Sequence, residues 1–113
     1  MKIAFPTSSG EGLDAVVGDR FARSPKITVV EVDEGGRVVK AETIDNEAAS
    51  LPSGAGTKFV QKLVELGINA VAGPRPGPHA ETILKRAGIR FIEVEPGKRV
   101  RDVLEAVLQA LKS

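Results

Sequence analysis

The chain has no cysteine, no tryptophan and no tyrosine, and it has a single histidine. Without cysteine there is no disulfide, no thiolate metal site, no cysteine-ligated iron–sulfur cluster and no thiol nucleophile. A lone histidine does not build a structural zinc site. The missing Trp and Tyr leave few faces for base stacking, and the four Phe read as core residues. Excess charge is lacking too. Lys and Arg number 16 against 15 Asp and Glu, a net charge of +1, whereas a nucleic-acid footprint needs a concentrated basic face. No apolar run approaches a membrane span, and Met1–Pro6 is too short for a signal peptide. These absences predict a cytoplasmic protein that binds neither nucleic acid nor membrane.

What is present suits one domain spanning residues 1–113, with 42% hydrophobic and 27% charged residues. Lys2-Ile3-Ala4-Phe5 predicts a first strand ended by Pro6. Residues 7–24 read as a Gly- and Ser-rich loop with at most a short turn around Leu13–Val17. Lys26–Asp33 and Arg37–Ile44 are β-branched runs joined by Glu34-Gly35-Gly36, a hairpin signal. The second run carries Lys and Glu, as a blunted edge strand does. Asp45–Ser53 reads as a loop, in which Asp45 and Asn46 suit turn capping.

Lys58–Leu66 has apolar residues at helical spacing and Gly67 where a left-handed cap belongs. Ile68–Ala72 is a short buried strand, Pro78–Ala87 a helix closed by Gly88, and Ile89–Val94 a strand. Leu66-Gly67-Ile68 and Ala87-Gly88-Ile89 are the same helix-to-strand join used twice. Val100, Val103, Leu104, Val107, Leu108 and Leu111 mark a last amphipathic helix. The order β-β-β-α-β-α-β-α predicts an α/β fold. Its five-stranded mixed sheet has order 3-2-1-4-5, strand 2 antiparallel, and helices on its faces.

In that order the loops after strands 1 and 4 meet at one rim, with the 53–57 turn beside them. Gly73-Pro74-Arg75-Pro76-Gly77-Pro78-His79 leaves a buried strand and opens a helix, with Pro78 in the first turn. His79 can supply one bond to a preformed cluster, although a capping or surface histidine fits as well. Gly54 and Gly56 precede a helix and expose N–H groups to an anion. The phosphate-loop pattern is not matched there, and an ordinary helix start capped by Ser53 is the plainer reading. Arg20, Arg23 and Arg75 can clamp an anion or be solvated surface charge. Strands 1 and 4 carry no carboxylates, which disfavours a two-metal nuclease.

The chain resembles the dinitrogenase iron–molybdenum cofactor biosynthesis family, the small domains related to NifX and to the C-terminal part of NifB. The resemblance covers nearly the whole chain. It rests on Met1–Pro6, Gly12-Leu13-Asp14, Asp19–Pro25, Asn46–Ala49, Gly54-Ala55-Gly56, Gly67–Val71 and Gly73 with Gly77–Ala80. It implies a ribonuclease H-like three-layer fold and a non-catalytic binding or carrier role for an iron–sulfur or iron–molybdenum cofactor or its precursor. Arg20, Arg23, Gly54, Gly56, Arg75 and His79 would then hold the anionic cofactor, with His79 as metal donor and a protein partner in cofactor assembly. Two departures stand out. Family members often have His-Phe-Gly where this chain has Arg20-Phe21-Ala22, and many have Gly-Pro-Asn where it has Gly77-Pro78-His79. The alternative function is a cofactor-free interaction module that pairs through the edge strand 37–44.

Overall fold

Ile3, Ala4 and Phe5 are fully buried and point alternately to opposite faces of a sheet, so both faces need cover. The computed structural model, which describes residues 1–113, supplies it in three layers. The strands are β1 (Lys2–Ser9), β2 (Val16–Val17), β3 (Lys26–Val32), β4 (Val38–Asp45), β5 (Ala70–Gly73) and β6 (Arg90–Glu93). The helices are α1 (Ala55–Glu65), α2 (Pro78–Ala87) and α3 (Val100–Lys112). Single 3₁₀ turns lie at Gly12–Asp14 and Glu47–Ser50.

The sheet order is β4-β3-β1-β5-β6, with the two-residue β2 also on β1. This is the predicted order 3-2-1-4-5 once β2 is counted. β3 runs antiparallel to β1 and β4, while β1, β5 and β6 run parallel. Ala4 and Val71 face α1 and α2, meeting Phe59, Val60, Leu63, Ala80 and Leu84. Ile3 and Phe5 face α3, meeting Val100, Val103, Leu104 and Val107.

The repeated Gly-Ile join has one physical cause. Gly67 and Gly88 are left-handed, at φ 73° and 74°. The N–H of Ile68 reaches back to the Leu63 carbonyl and that of Gly67 to Val64. Ile89 and Gly88 do the same with Leu84 and Lys85. Each helix thus ends in a paired bond that satisfies its last carbonyls, and an isoleucine–leucine contact seals it. Because Ile68 and Ile89 serve the caps, the strands start later than predicted, at Ala70 and Arg90.

Three further expectations are corrected. β1 does not end at Pro6; it continues to Ser9, with Pro6 opposite Ile27. Pairing with β5 stops at Ala4, so Pro6 needs no N–H on that flank, where its carbonyl accepts from Gly18. Ser53 does not cap α1; Gly54 holds the N-cap position at φ 77° and no side chain caps the helix. Asp45 ends β4 and forms an ion pair with Lys26 instead of capping a turn.

Residues 14–17 pack against the start of α3, where the Val100 N–H donates to the Ala15 carbonyl and the Val17 N–H to the Lys98 carbonyl. A hydroxyl chain joins β1, β3 and β4: Thr7 to Thr28 at 3.0 Å, and Thr28 to Thr43 at 2.9 Å. The Gly12 N–H then donates to Thr43 Oγ1 at 2.9 Å. Arg101 donates to Asp14 at 2.7 Å and holds that carboxyl below the usual range, first through the hydrogen bond and then through its charge.

Two predictions follow from these contacts. A Cβ on Gly73 would sit 2.8 Å from Pro6 Cδ, so Gly73→Ala should lower unfolding free energy by about 1–3 kcal/mol in urea melts. Gly77→Ala, with nothing within 4 Å and φ −66°, should change it by less than about 0.5 kcal/mol. Asp14 titrates lower folded than unfolded, so its contribution is present above the unfolded value and lost as pH falls through the folded one. Thermal melts should therefore show wild type above Asp14→Asn at neutral pH, with the gap closing below about pH 4. The pair is exposed, so salt should shrink that gap.

Candidate functional site

The parallel strands β1 and β5 are neighbours whose onward connections lead to opposite flanks of the sheet. Ligands of open α/β sheets bind beyond the carboxyl ends of strands at such a point. Segments 19–23, 54–56 and 75–80 border one open depression of about 490 Å³ there. All six residues singled out from the sequence line it: Arg20, Arg23, Gly54, Gly56, Arg75 and His79.

The first segment is locked from within. A Cβ on Gly18 would lie 2.1 Å from Ser24 Oγ, so only glycine fits there. Ser24 Oγ donates to the Arg20 carbonyl at 2.6 Å, closing the turn. Phe21 plunges into the core at 6% exposure. It meets Phe59 edge-on at 5.0 Å and Phe91 at 6.0 Å. The turn is therefore pinned by an aromatic plug, with an arginine displayed on either side.

The second clamp comes from residues 46–51. Asn46, 6% exposed, donates from Nδ2 to the carbonyls of Ala22 at 2.9 Å and Ser24 at 2.8 Å. Its Oδ1 accepts from the Ala48 N–H, as the capping expectation required. Arg23 reaches the same segment, donating to the Leu51 carbonyl at 2.7 Å and the Ala49 carbonyl at 3.4 Å. Its charge stays at the rim, while part of its guanidinium ties two loops together.

α1 and α2 both begin here, and neither has a side-chain cap. Their first N–H groups and the positive ends of their dipoles face a shared edge of the depression. The two helix starts are close here: a Cβ on Gly56 would be in ordinary contact with Ala80 Cβ at 3.4 Å. The same approach brings Thr57 Oγ1 to 3.3 Å from His79 Nε2. Arg75 is paired with Glu93, Nη2 to Oε1 at 2.9 Å. Arg20 forms no ion pair and no side-chain hydrogen bond, so it is the unengaged cation of the site.

Sequence reasoning missed Glu93, the partner of Arg75, and the clamping role of Asn46. The first had no signal in the sequence, because it depends on the register that sets Gly73 opposite Glu93 across β5 and β6. The second had only the weak signal of an Asn before a turn. No cluster of three or more His, Asp or Glu side chains has metal-holding geometry. The lining offers one imidazole, three guanidinium groups and backbone N–H groups, against the single carboxylate of Asp19. It suits a preformed anion better than a bare cation.

Comparison with known proteins adds a family match. The model described as dinitrogenase iron-molybdenum cofactor matches residues 1–110. An uncharacterised protein of Methanocaldococcus jannaschii is 32% identical over 79% of this chain and 70% of its own length. Among solved structures, the apo form of the orange protein of Desulfovibrio gigas is 33% identical, with TM-score 0.82, covering 96% of this chain and 88% of that one. A Thermotoga protein provisionally named NifB is 29% identical, with TM-score 0.74, covering 96% and 87%.

Asn46→Ala removes the donor from two buried-loop carbonyls and should cost about 1–3 kcal/mol in urea melts. Asn46→Asp should cost more at neutral pH, because it sets a carboxylate against those carbonyls. Part of that extra loss should return on acidification, when the carboxyl protonates and can donate. Equal stability of both variants with wild type would refute the clamp.

Proposed function

We infer that this chain, which belongs to the dinitrogenase iron-molybdenum cofactor family, is a non-catalytic carrier that holds an anionic metal–sulfur cofactor or its precursor as cargo. The observation that carries this reading is the convergence of an unengaged Arg20, two uncapped helix starts and His79 on one open depression. With no cysteine in the chain, the cargo must bring its own sulfur ligands. Charge and N–H donors then do the holding. Arg20 supplies a mobile cation, and Arg23 adds charge from a fixed position. The backbone N–H groups of Ala55 and Gly56 at the start of α1, and of His79 and Ala80 beyond Pro78, donate to the cargo's rim atoms. His79 offers one ring nitrogen once its contact with Thr57 yields. Such a hold is reversible, as a carrier that passes its cargo to an assembly partner requires.

Membership also carries the expectation of a cluster, and the residues fit one as a gripped anion rather than as a fully ligated centre. The open depression suits loading and release better than chemistry, which would need excluded water and a paired acid and base. No helix is long and apolar enough to cross a membrane.

The test is anaerobic titration with isolated iron–molybdenum cofactor, followed by visible absorption and by co-elution on gel filtration. Wild type should retain the chromophore and release it at high salt. Arg20→Ala should weaken binding about tenfold or more, the loss of one charge-assisted contact. His79→Ala should shift the bound spectrum. Failure of wild type to retain the chromophore, or identical behaviour of both variants, would reject the assignment.

A further inference from the structure

The second unassigned feature lies away from the depression, on the free edge of the sheet. β4 is the terminal strand, paired with β3 on one side only. The bonded pair Asn46 and Pro25 sets the alternation of that ladder. It turns the N–H and C=O of residues 40, 42 and 44 towards β3 and leaves those of Ala41, Thr43 and Asp45 facing outward. None of these outward groups has a backbone partner. The edge is eight residues long and carries no proline. Val39 is the extra residue of a bulge in β4, skipped between the pairs Glu31–Lys40 and Val32–Val38, and it is 63% exposed; the regular alternation therefore holds from Lys40 to Asp45. Long exposed edges with apolar side chains are templates for another strand.

We propose that β4 pairs antiparallel with the β4 of a second copy of this chain, with Ala41 on the twofold axis. The strand's own sequence selects this register. Outward-facing groups fall on odd residues, so a bonded pairing must match odd with odd. With Ala41 opposite Ala41, Lys40 faces Glu42 of the second copy, and Glu42 faces Lys40. Slipping one way sets Lys40 against Lys40, and slipping the other sets Glu42 against Glu42. Like charges directly opposite each other are disfavoured and opposite charges favoured. Lys40 and Glu42 are 3.7 Å apart on one strand and both well exposed, so they can exchange partners without new burial. A ladder confined to the few residues around Ala41 is smaller than a standard stable interface, so the dimer is weak and reversible.

This inference does not rest on the carrier reading. Its test is sedimentation equilibrium of the full chain from micromolar to near-millimolar concentration, with circular dichroism as the control for folding. Wild type should show a monomer–dimer equilibrium that weakens with salt. Lys40→Glu and Glu42→Lys should each raise the dissociation constant about tenfold, because each creates two like-charge pairs across the axis. The double variant exchanges the charges and should restore association to near the wild-type value. A wild type that stays monomeric throughout, single variants that associate like wild type, or a double variant that fails to recover would each overturn the proposal.

Discussion

The two-sided burial of β1 governs the rest of the molecule. Ile3, Ala4 and Phe5 have no exposed surface, and strands pair along both flanks of β1. A strand so enclosed must be central, and its neighbours must diverge where their pairing ends. β5 leaves β1 after Val71 pairs with Ala4, and β1 runs on past Pro6, still paired with β3 as far as Thr7, to meet β2. Gly73 exists at that fork because the Pro6 ring occupies the space of any side chain. The depression is the volume opened by the fork, so the site follows from the sheet rather than being added to it.

Electrostatics then decides which residues remain available there. Of the three arginines that suggest an anion clamp, each has a different state. Arg75 is neutralised by Glu93, Arg23 is tied to the carbonyls of Ala49 and Leu51, and Arg20 is unengaged. The rigid part of the site is the Phe21 plug and the Asn46 clamp, which hold Arg20 in place without touching its guanidinium. On the proposed carrier reading, a fixed backbone with one free long side chain would tolerate cargo of varied outline, since the side chain adapts while the N–H donors stay oriented.

Most of this was legible in the sequence because it depends on local rules. Period-two and period-3.6 patterns gave the elements, crossover handedness gave the order, and the strand ends then had to bring residues 20, 54, 75 and 79 together. What was not legible depends on contacts across sequence. Pro6 reads as a strand end until one knows that β5 has already left its flank. Ser53 reads as a cap until Gly54, free to adopt φ 77°, takes that position. Glu93 cannot be assigned to Arg75 without the β5–β6 register. The twin Gly-Ile joins were visible as a pattern, but their paired caps became an explanation only with the bonds in place.

The free edge and the depression occupy different parts of the sheet, and this separation has a consequence. β4 runs parallel to β1, so its end at Asp45 lies on the same side as the depression, while Ala41 lies at mid-strand. An antiparallel twofold through Ala41 would join two five-stranded sheets into one of ten strands. It would direct the two depressions to opposite ends of that sheet. Neither would be covered, and neither would contribute residues to the other. Association through β4, as proposed, would therefore leave the affinity of each depression for the proposed cargo unchanged, and its effect would be to cover a sheet edge that the Lys and Glu side chains only partly protect.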